Sequence, residues 1–194
     1  MAKPITGLRL RPPRTSGKDG AEIWDADFRF GKGFDLGATA MLTPYIGAGY
    51  HYWNRNLTGG FPLAYREEYE HGYAGGGLML QWVPVQRLVL EVHGLVGSTF
   101  DAKMATSNTV GPVIRPQSYR LGSSELYMVG ASADFAFTDR WRGNVGVEWT
   151  RFKYGQSAPS LIDGTLEPGS RTDTVTVRAG IGYSFYATPV VAKY

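Results

Sequence analysis

Three histidines, His51, His71 and His93, are the side chains of this chain best suited to acid–base chemistry or metal binding. His93 lies two residues from Glu91, so both side chains fall on one face of an extended strand. A metal site needs more ligands at a suitable spacing, and the chain has no cysteine to supply them. We therefore favour a network of hydrogen bonds in a polar interior, and we expect no metal ion and no cofactor.

A hydrolytic site would need a nucleophile, a base and an acid close together. Ser98 lies near His93 in the sequence, but no stretch supplies a complete Ser/His/acid or Asp/His set. Gly75–Gly77 is not a phosphate-binding loop, because no helical pattern follows it. The sequence therefore predicts no catalytic residues, although an enzyme that modifies envelope lipids stays among the alternatives.

The other candidate functional residues are charged side chains that alternate with apolar neighbours. They carry both signs, and most of the residues that share their face are Gly, Ser or Thr. Small residues with a few mixed charges suit the interior of a narrow barrel, where ion pairs can satisfy one another. We predict a network of charges in such a lumen, formed by Glu91, His93, Asp134, Arg142, Glu148 and Arg178.

The elements that must position these charges show the period-two alternation of β-strands. Thr174–Phe185 is the clearest case, with Val, Ala, Ile, Tyr and Phe on one face and Thr, Arg, Gly and Ser on the other. The predicted strands are Ile5–Leu10, Glu22–Phe30, Leu36–Trp53, Tyr65–Trp82, Arg87–Asp101, Glu125–Phe137, Trp141–Lys153 and Thr174–Phe185.

Short turns alternate with long loops between these strands. The turns and the loops are, respectively, 31–35, 83–86, 138–140 and 54–64, 102–120, 155–172. This rhythm is typical of outer-membrane barrels, which have short periplasmic turns and long extracellular loops. We predict an all-β, up-and-down antiparallel transmembrane β-barrel of about eight strands. It forms one domain over 1–194, with an N-terminal strand and loop in 1–20 and a C-terminal tail in 186–194.

A soluble ligand-binding barrel would share the alternation but would turn its apolar face inward. Two features favour the membrane barrel: strands longer than the roughly 5–6 residues usual in soluble proteins, and aromatic residues near the strand ends. The second feature predicts two aromatic girdles on the lipid-facing side, made of Trp24, Tyr50, Tyr52, Trp82, Trp141, Trp149, Tyr183 and Phe185.

Composition excludes several other classes. The net charge of +3 is small and the basic residues are not clustered, so no nucleic-acid partner is expected. No run approaches the roughly 18 apolar residues of a membrane helix. Residues after Met1 contain no apolar signal-peptide core, which indicates a cytosolic protein or a mature form whose signal was removed or omitted.

Two stretches resemble a known group of proteins. LTPYIGAGYHYWNRNL at 42–57, followed by YREEYEHGYAGGGLML at 65–80, resembles poorly characterised proteobacterial outer-membrane β-barrel proteins, related in type to small OmpA/OmpX-like eight-stranded barrels. VTVRAGIGYSF at 175–185 resembles the C-terminal strand that the outer-membrane assembly machinery recognises. The resemblance implies a monomer in a Gram-negative outer membrane, in contact with outer-membrane lipids, lipopolysaccharide and the assembly machinery.

We expect a side-chain-filled lumen and a structural or surface-interaction role, with an extracellular partner bound through the long loops. The alternatives are a narrow porin-like pore or transport barrel for a small solute or lipid, an envelope-lipid-modifying enzyme, and a soluble ligand-binding barrel.

Overall fold

A computed structural model describes residues 20–57, 65–108, 116–162, 164–183 and 185. These residues form an all-β structure, and no helix among them is long and apolar enough to cross a membrane. The strands are β1 Gly20–Gly31, β2 Phe34–Asp35, β3 Ala40–Leu57, β4 Tyr65–Val85, β5 Leu88–Asn108, β6 Gln117–Arg120, β7 Glu125–Ala136, β8 Trp141–Tyr154 and β9 Ser170–Tyr183.

Seven long strands form one antiparallel sheet in the order β1-β3-β4-β5-β7-β8-β9, with β2 paired to β3 and β6 paired to β5. The sheet curls into a half-barrel. Its curvature lets side chains of β1 and β8 meet across the interior, where Arg29 contacts Glu148 at 3.0 Å. The predicted antiparallel up-and-down order is therefore confirmed for seven strands, while the predicted strand Ile5–Leu10 and the tail 186–194 lie outside the described residues.

Several strands extend further than their alternation predicted. The predicted loop 102–120 contains the end of β5 and all of β6, with Met104 opposite Tyr119. The predicted loop 54–64 begins with four residues of β3. For β5 the cause is a register shift opposite His71, where Asp101 has a positive φ of 49°. Such a bulge transfers the following side chains to the other face, so the alternation is lost although the strand continues.

The sheet turns its polar face inward and its apolar face outward. Ile46 on β3 and Val177 on β9 are 67% and 73% exposed on the convex side, whereas Tyr45 and Leu126 are buried on the concave side. The buried apolar residues cluster toward the long-loop end of the interior. They are Tyr45, Tyr69, Tyr73, Leu95, Ala102, Met104, Leu121, Leu126, Met128, Phe152 and Tyr154.

Glycines on the concave face make room for the interior tyrosines. A Cβ atom on Gly49 would lie 2.4 Å from the ring of Tyr73, and one on Gly77 would lie 2.4 Å from the ring of Tyr45. These rings therefore lie flat across the neighbouring strand, and the Tyr45 hydroxyl donates a hydrogen bond to the Gly94 carbonyl at 3.1 Å. The many glycines of the polar face thus permit dense filling of a narrow interior.

Candidate functional site

Glu148, on β8, is the centre of the interior charge network. Its side chain is buried and receives hydrogen bonds from Arg29 at 3.0 Å and from Arg178 at 3.2 Å. Nε2 of His93 lies 3.0 Å from the same carboxylate. One buried carboxylate thereby joins strands β1, β5, β8 and β9, and we call these four residues the Glu148 hub.

The strand register explains how His93 reaches Glu148. His93 lies opposite Gly130 on β7, and Gly130 lies opposite Glu148 on β8, so the three residues form one row across three strands. A Cβ atom on Gly130 would lie 2.5 Å from Cε1 of His93. The missing side chain therefore lets the imidazole cross β7 and contact the carboxylate.

A second set of polar groups supports the hub. Glu91 Oε1 lies 3.3 Å from Nδ1 of His93, and Gln81 donates a hydrogen bond to Glu91 at 3.1 Å. Arg29 also contacts Asp27 at 3.2 Å. Because each charge in this group has a partner of opposite sign or a hydrogen bond, the interior holds several ionic groups without an isolated buried charge.

The six residues of the predicted charge network are not all brought together. Glu91, His93, Glu148 and Arg178 belong to the hub or contact it, whereas Asp134 and Arg142 pair with each other at 2.9 Å, nearer the short turns. Sequence reasoning left out Arg29, one of the closest partners of Glu148. Its position on the polar face of the predicted strand Glu22–Phe30 was the available signal.

A layer of aromatic side chains fills the interior on the long-loop side of the hub. Trp53, Tyr69 and Tyr154 stack in sequence, with ring centroids 5.7 and 5.5 Å apart. The Tyr154 hydroxyl lies 2.9 Å from Nδ1 of His71, and His51 contacts Asp25 at 2.6 Å. His51, predicted on the polar face, and His71 are thus placed within this aromatic layer, whereas His93 belongs to the hub.

The connection between β8 and β9 folds over the aromatic layer. The Tyr69 hydroxyl donates a hydrogen bond to Glu167 at 3.1 Å, and the Tyr119 hydroxyl lies 2.8 Å from Thr165. Burial raises the pKa of both Tyr69 and Tyr154, so their hydroxyls stay protonated at neutral pH. Glu167 and Thr165 of this connection therefore contact aromatic side chains at the outer end of the interior.

Two interior spaces lie beside the hub. A cavity of about 50 Å³ separates the hub from the aromatic layer, and a cleft of about 380 Å³ extends from the hub past Glu91, Ser132 and Asn144. In the described part of the chain, no group of three or more His, Cys, Asp or Glu side chains could hold a metal ion. The arrangement can bind water or a small polar solute, and it neutralises its own charges.

The convex surface carries an apolar band between two aromatic rows. The row at the short turns contains Trp82 and the contacting pair Trp141 and Tyr183, whose ring centroids are 4.9 Å apart. Phe185 extends this row, with its ring 5.2 Å from that of Tyr183. The row at the long-loop end contains Tyr50, Phe100, Tyr127 and Trp149.

Beyond the second aromatic row the outward residues become charged, and we call this zone the outer belt. Trp24 and Tyr52, predicted as girdle residues, lie opposite each other at its edge, next to Glu70. The Tyr50 hydroxyl donates a hydrogen bond to Glu70 at 2.6 Å. The charged residues of the belt are Glu22, Arg66, Glu68, Glu70, Asp101, Lys103, Arg120, Glu125, Arg151, Lys153, Arg171 and Asp173.

Comparison with protein-family models, with curated proteins and with solved structures finds no match for this chain.

Proposed function

We propose that the protein is an integral outer-membrane β-barrel of the small eight-stranded type, with a side-chain-filled lumen and a structural or surface-interaction role. The observation that carries this proposal is the apolar band between the two aromatic rows. On β4 it extends from Gly72 to Trp82, and on β5 from Leu90 to Phe100, which pair with each other. These lengths match the roughly 9–11 tilted residues that cross a bilayer.

The orientation of the two faces argues against a soluble barrel. A water-exposed barrel would turn the valines and isoleucines inward, yet Ile46, Val96 and Ile181 are exposed while Glu148 and His93 are buried. Contiguous exposed apolar patches on soluble monomers rarely exceed a few hundred Å². A band around the whole described convex surface is therefore better explained by contact with lipid.

The filled interior supports a structural role over an open pore. Below the aromatic layer, the Glu148 hub crosses the lumen from β1 to β9.

A narrow pore or transport barrel is the second candidate, favoured by the cleft of about 380 Å³ beside the hub. Wild-type protein in planar bilayers should give no large, stable channels, and Arg178→Ala should lower thermal stability without creating conductance. Stable wild-type channels would support the pore instead.

Folding in detergent tests the membrane assignment. We expect the protein to partition into the detergent phase and to migrate on a gel as a compact monomer that shifts after boiling, because closed transmembrane barrels resist unfolding by detergent. Recovery of a folded monomer in the aqueous phase without detergent would contradict the proposal.

The surface role is assigned to the strand extensions and the ordered connection beyond the outer belt. These parts lie beyond the apolar band and would face the outside of the cell, where an extracellular partner can reach them. No complete nucleophile, base and acid set was found in the sequence, so the absence of catalysis stays a prediction. Lipid A mass profiles with and without the protein would test it.

A further inference from the structure

Two cations lie directly opposite each other on the outward face. Lys153 on β8 pairs in register with Arg171 on β9, and Arg151 lies one outward position closer to the apolar band. Like charges on directly opposed residues of an antiparallel pair destabilise the sheet. We call Arg151, Lys153 and Arg171 the basic cluster, and its placement needs an explanation other than strand pairing.

The acidic neighbours neutralise the basic cluster only in part. Lys153 contacts Glu125, and Asp173 is shared between Nε of Arg151 at 2.7 Å and Nε of Arg171 at 3.1 Å. The hydrogen bond from Arg151 also lowers the pKa of Asp173, which keeps this carboxylate charged. Both contacts use Nε. In the described part of the chain, the terminal Nη donors of these two guanidinium groups have no hydrogen-bond partner, so they are available to an acceptor from outside the protein.

In the proposed membrane orientation, the basic cluster lies at the depth of the lipid headgroups. Arg151 is the next outward residue after Trp149, and its guanidinium carbon lies 4.9 Å from the centre of the Trp149 ring. Trp149 pairs with Val175, which belongs to the apolar band. Aromatic rows of this kind lie at the headgroup level of a bilayer, so the cations above Trp149 lie where lipid phosphates are found.

The opposite side of the outer belt lacks such an excess of cations. Lys103 contacts Asp101 at 2.8 Å and Glu70 at 3.6 Å, and Arg66 contacts Glu68 at 3.7 Å. Arg120 on β6 lies opposite Lys103 and is exposed, but the four acids Glu22, Glu68, Glu70 and Asp101 outnumber the three bases on this side. The net positive charge of the outer belt is therefore found on the β8–β9 side, where three bases face two acids.

We propose that the basic cluster is a binding site for the phosphate of an anionic membrane-lipid headgroup, with the acyl chains of that lipid lying against the apolar band beneath Trp149. Guanidinium groups bind phosphate oxygens with paired hydrogen bonds, and an added ammonium acts as a point charge. The phosphate would relieve the repulsion between Lys153 and Arg171. This site rests on the proposed membrane function, because it requires the apolar band to face lipid.

Native mass spectrometry of the full chain, reconstituted in phosphatidylcholine with added phosphatidylglycerol, tests the site. Wild type should retain phosphatidylglycerol in preference to phosphatidylcholine. Lys153→Gln with Arg171→Gln should reduce that preference by about fivefold per cation, since a basic residue near an anionic surface contributes about 1 kcal/mol. The control Arg66→Gln with Lys103→Gln removes the same charge from the other side and should retain the preference.

Three outcomes would overturn the site: no lipid preference in wild type, an equal loss in the control variant, or full competition by soluble glycerophosphate at matched concentration. Each is scored only on protein that inserts and shifts its gel migration on boiling. A protein that inserts into both lipid mixtures without preference contradicts the headgroup site alone. A protein that inserts into neither contradicts the proposed membrane function itself.

Discussion

Individual side chains in the interior differ widely in how strongly they should stabilise the barrel. Glu148 satisfies three groups at once, while Arg178 reaches it from the open side of β9 and keeps a half-exposed side chain. We therefore expect the shared carboxylate of Glu148 to contribute more to the stability of the protein than any one of its partners.

Glu148→Ala should destabilise the protein by roughly 3–5 kcal/mol, because it removes the carboxylate shared by three groups and leaves the half-buried Arg29 and the buried His93 with only Asp27 and Glu91 as partners. Thermal or urea unfolding in detergent measures this change. The matched control is Glu125→Ala in the outer belt, whose ion pair with Lys153 is exposed and should contribute roughly 0–1 kcal/mol. Equal effects of the two substitutions would contradict a buried hub.

Gly130→Ala should also destabilise the hub, since the new Cβ would lie 2.5 Å from the His93 ring and push it away from Glu148. Overpacking of this kind costs roughly 1–3 kcal/mol. Gly180→Ala is the control, because a Cβ there has no heavy atom within 4 Å. The measurement is the unfolding midpoint of both variants. An unchanged midpoint for Gly130→Ala would show that the contact between His93 and Glu148 does not require a glycine at position 130.

At the scale of the strands, the half-barrel has two edges that run in the same direction. Successive antiparallel pairings from β1 to β9 give seven long strands, so β1 and β9 are parallel to each other. Direct pairing of these edges would have to be parallel, whereas one additional strand running the opposite way could pair antiparallel with both. The predicted strand Ile5–Leu10 precedes β1 directly and has this direction if a turn separates the two.

Disulfide trapping tests that strand against a background free of cysteine. We expect Leu8→Cys to cross-link with one of Ala26→Cys or Phe28→Cys on β1, and also with one of Val177→Cys or Ala179→Cys on β9. These β1 and β9 positions share the outward face, and Leu8 would lie beside them if Ile5–Leu10 is the closing strand. Non-reducing gels of folded protein report the cross-links. Absence of any cross-link to β9 would contradict closure by this segment.

The connection that covers the aromatic layer should respond to pH through Glu167. Burial raises the pKa of this carboxyl, the hydrogen bond from Tyr69 lowers it, and the nearby Glu67 raises it again, with a net increase. A raised pKa means that the folded state binds the proton more tightly, so this group opposes folding at neutral pH and ceases to do so as the pH falls through its folded and then its unfolded pKa.

Glu167→Gln keeps an acceptor for Tyr69 and removes the charge. We expect a slightly higher melting temperature than wild type at pH 7, and no difference at pH 4. Glu68→Gln, exposed on the outer belt, serves as the control without a buried carboxylate. A lower melting temperature of Glu167→Gln at pH 7 would contradict the sign derived from burial.

At the scale of the whole molecule, two surfaces follow from one strand geometry. The concave face concentrates glycines, aromatic rings and paired charges, and the convex face concentrates aliphatic side chains between aromatic rows. Alternate residues point to opposite faces of the sheet. The same strands curled in the opposite direction would therefore place the apolar face inside and the polar face outside. The observed curl supports the membrane proposal, since the charges lie on the concave side and the valines on the outer, convex side.

The sequence by itself determined the seven long strands of the sheet, their antiparallel succession and the division of their residues between two faces, because alternation and short turns are local properties of the chain. It could also indicate the pair Asp134 and Arg142, which are diagonal neighbours on one face of a tight hairpin. The tertiary structure decided that the polar face is concave, that Arg29 meets Glu148 from 119 residues away, and that Gly130 lets His93 through. It also decided where β5 bulges and continues. These features depend on curvature and register accumulated over several strands, and no local pattern of residues encodes them.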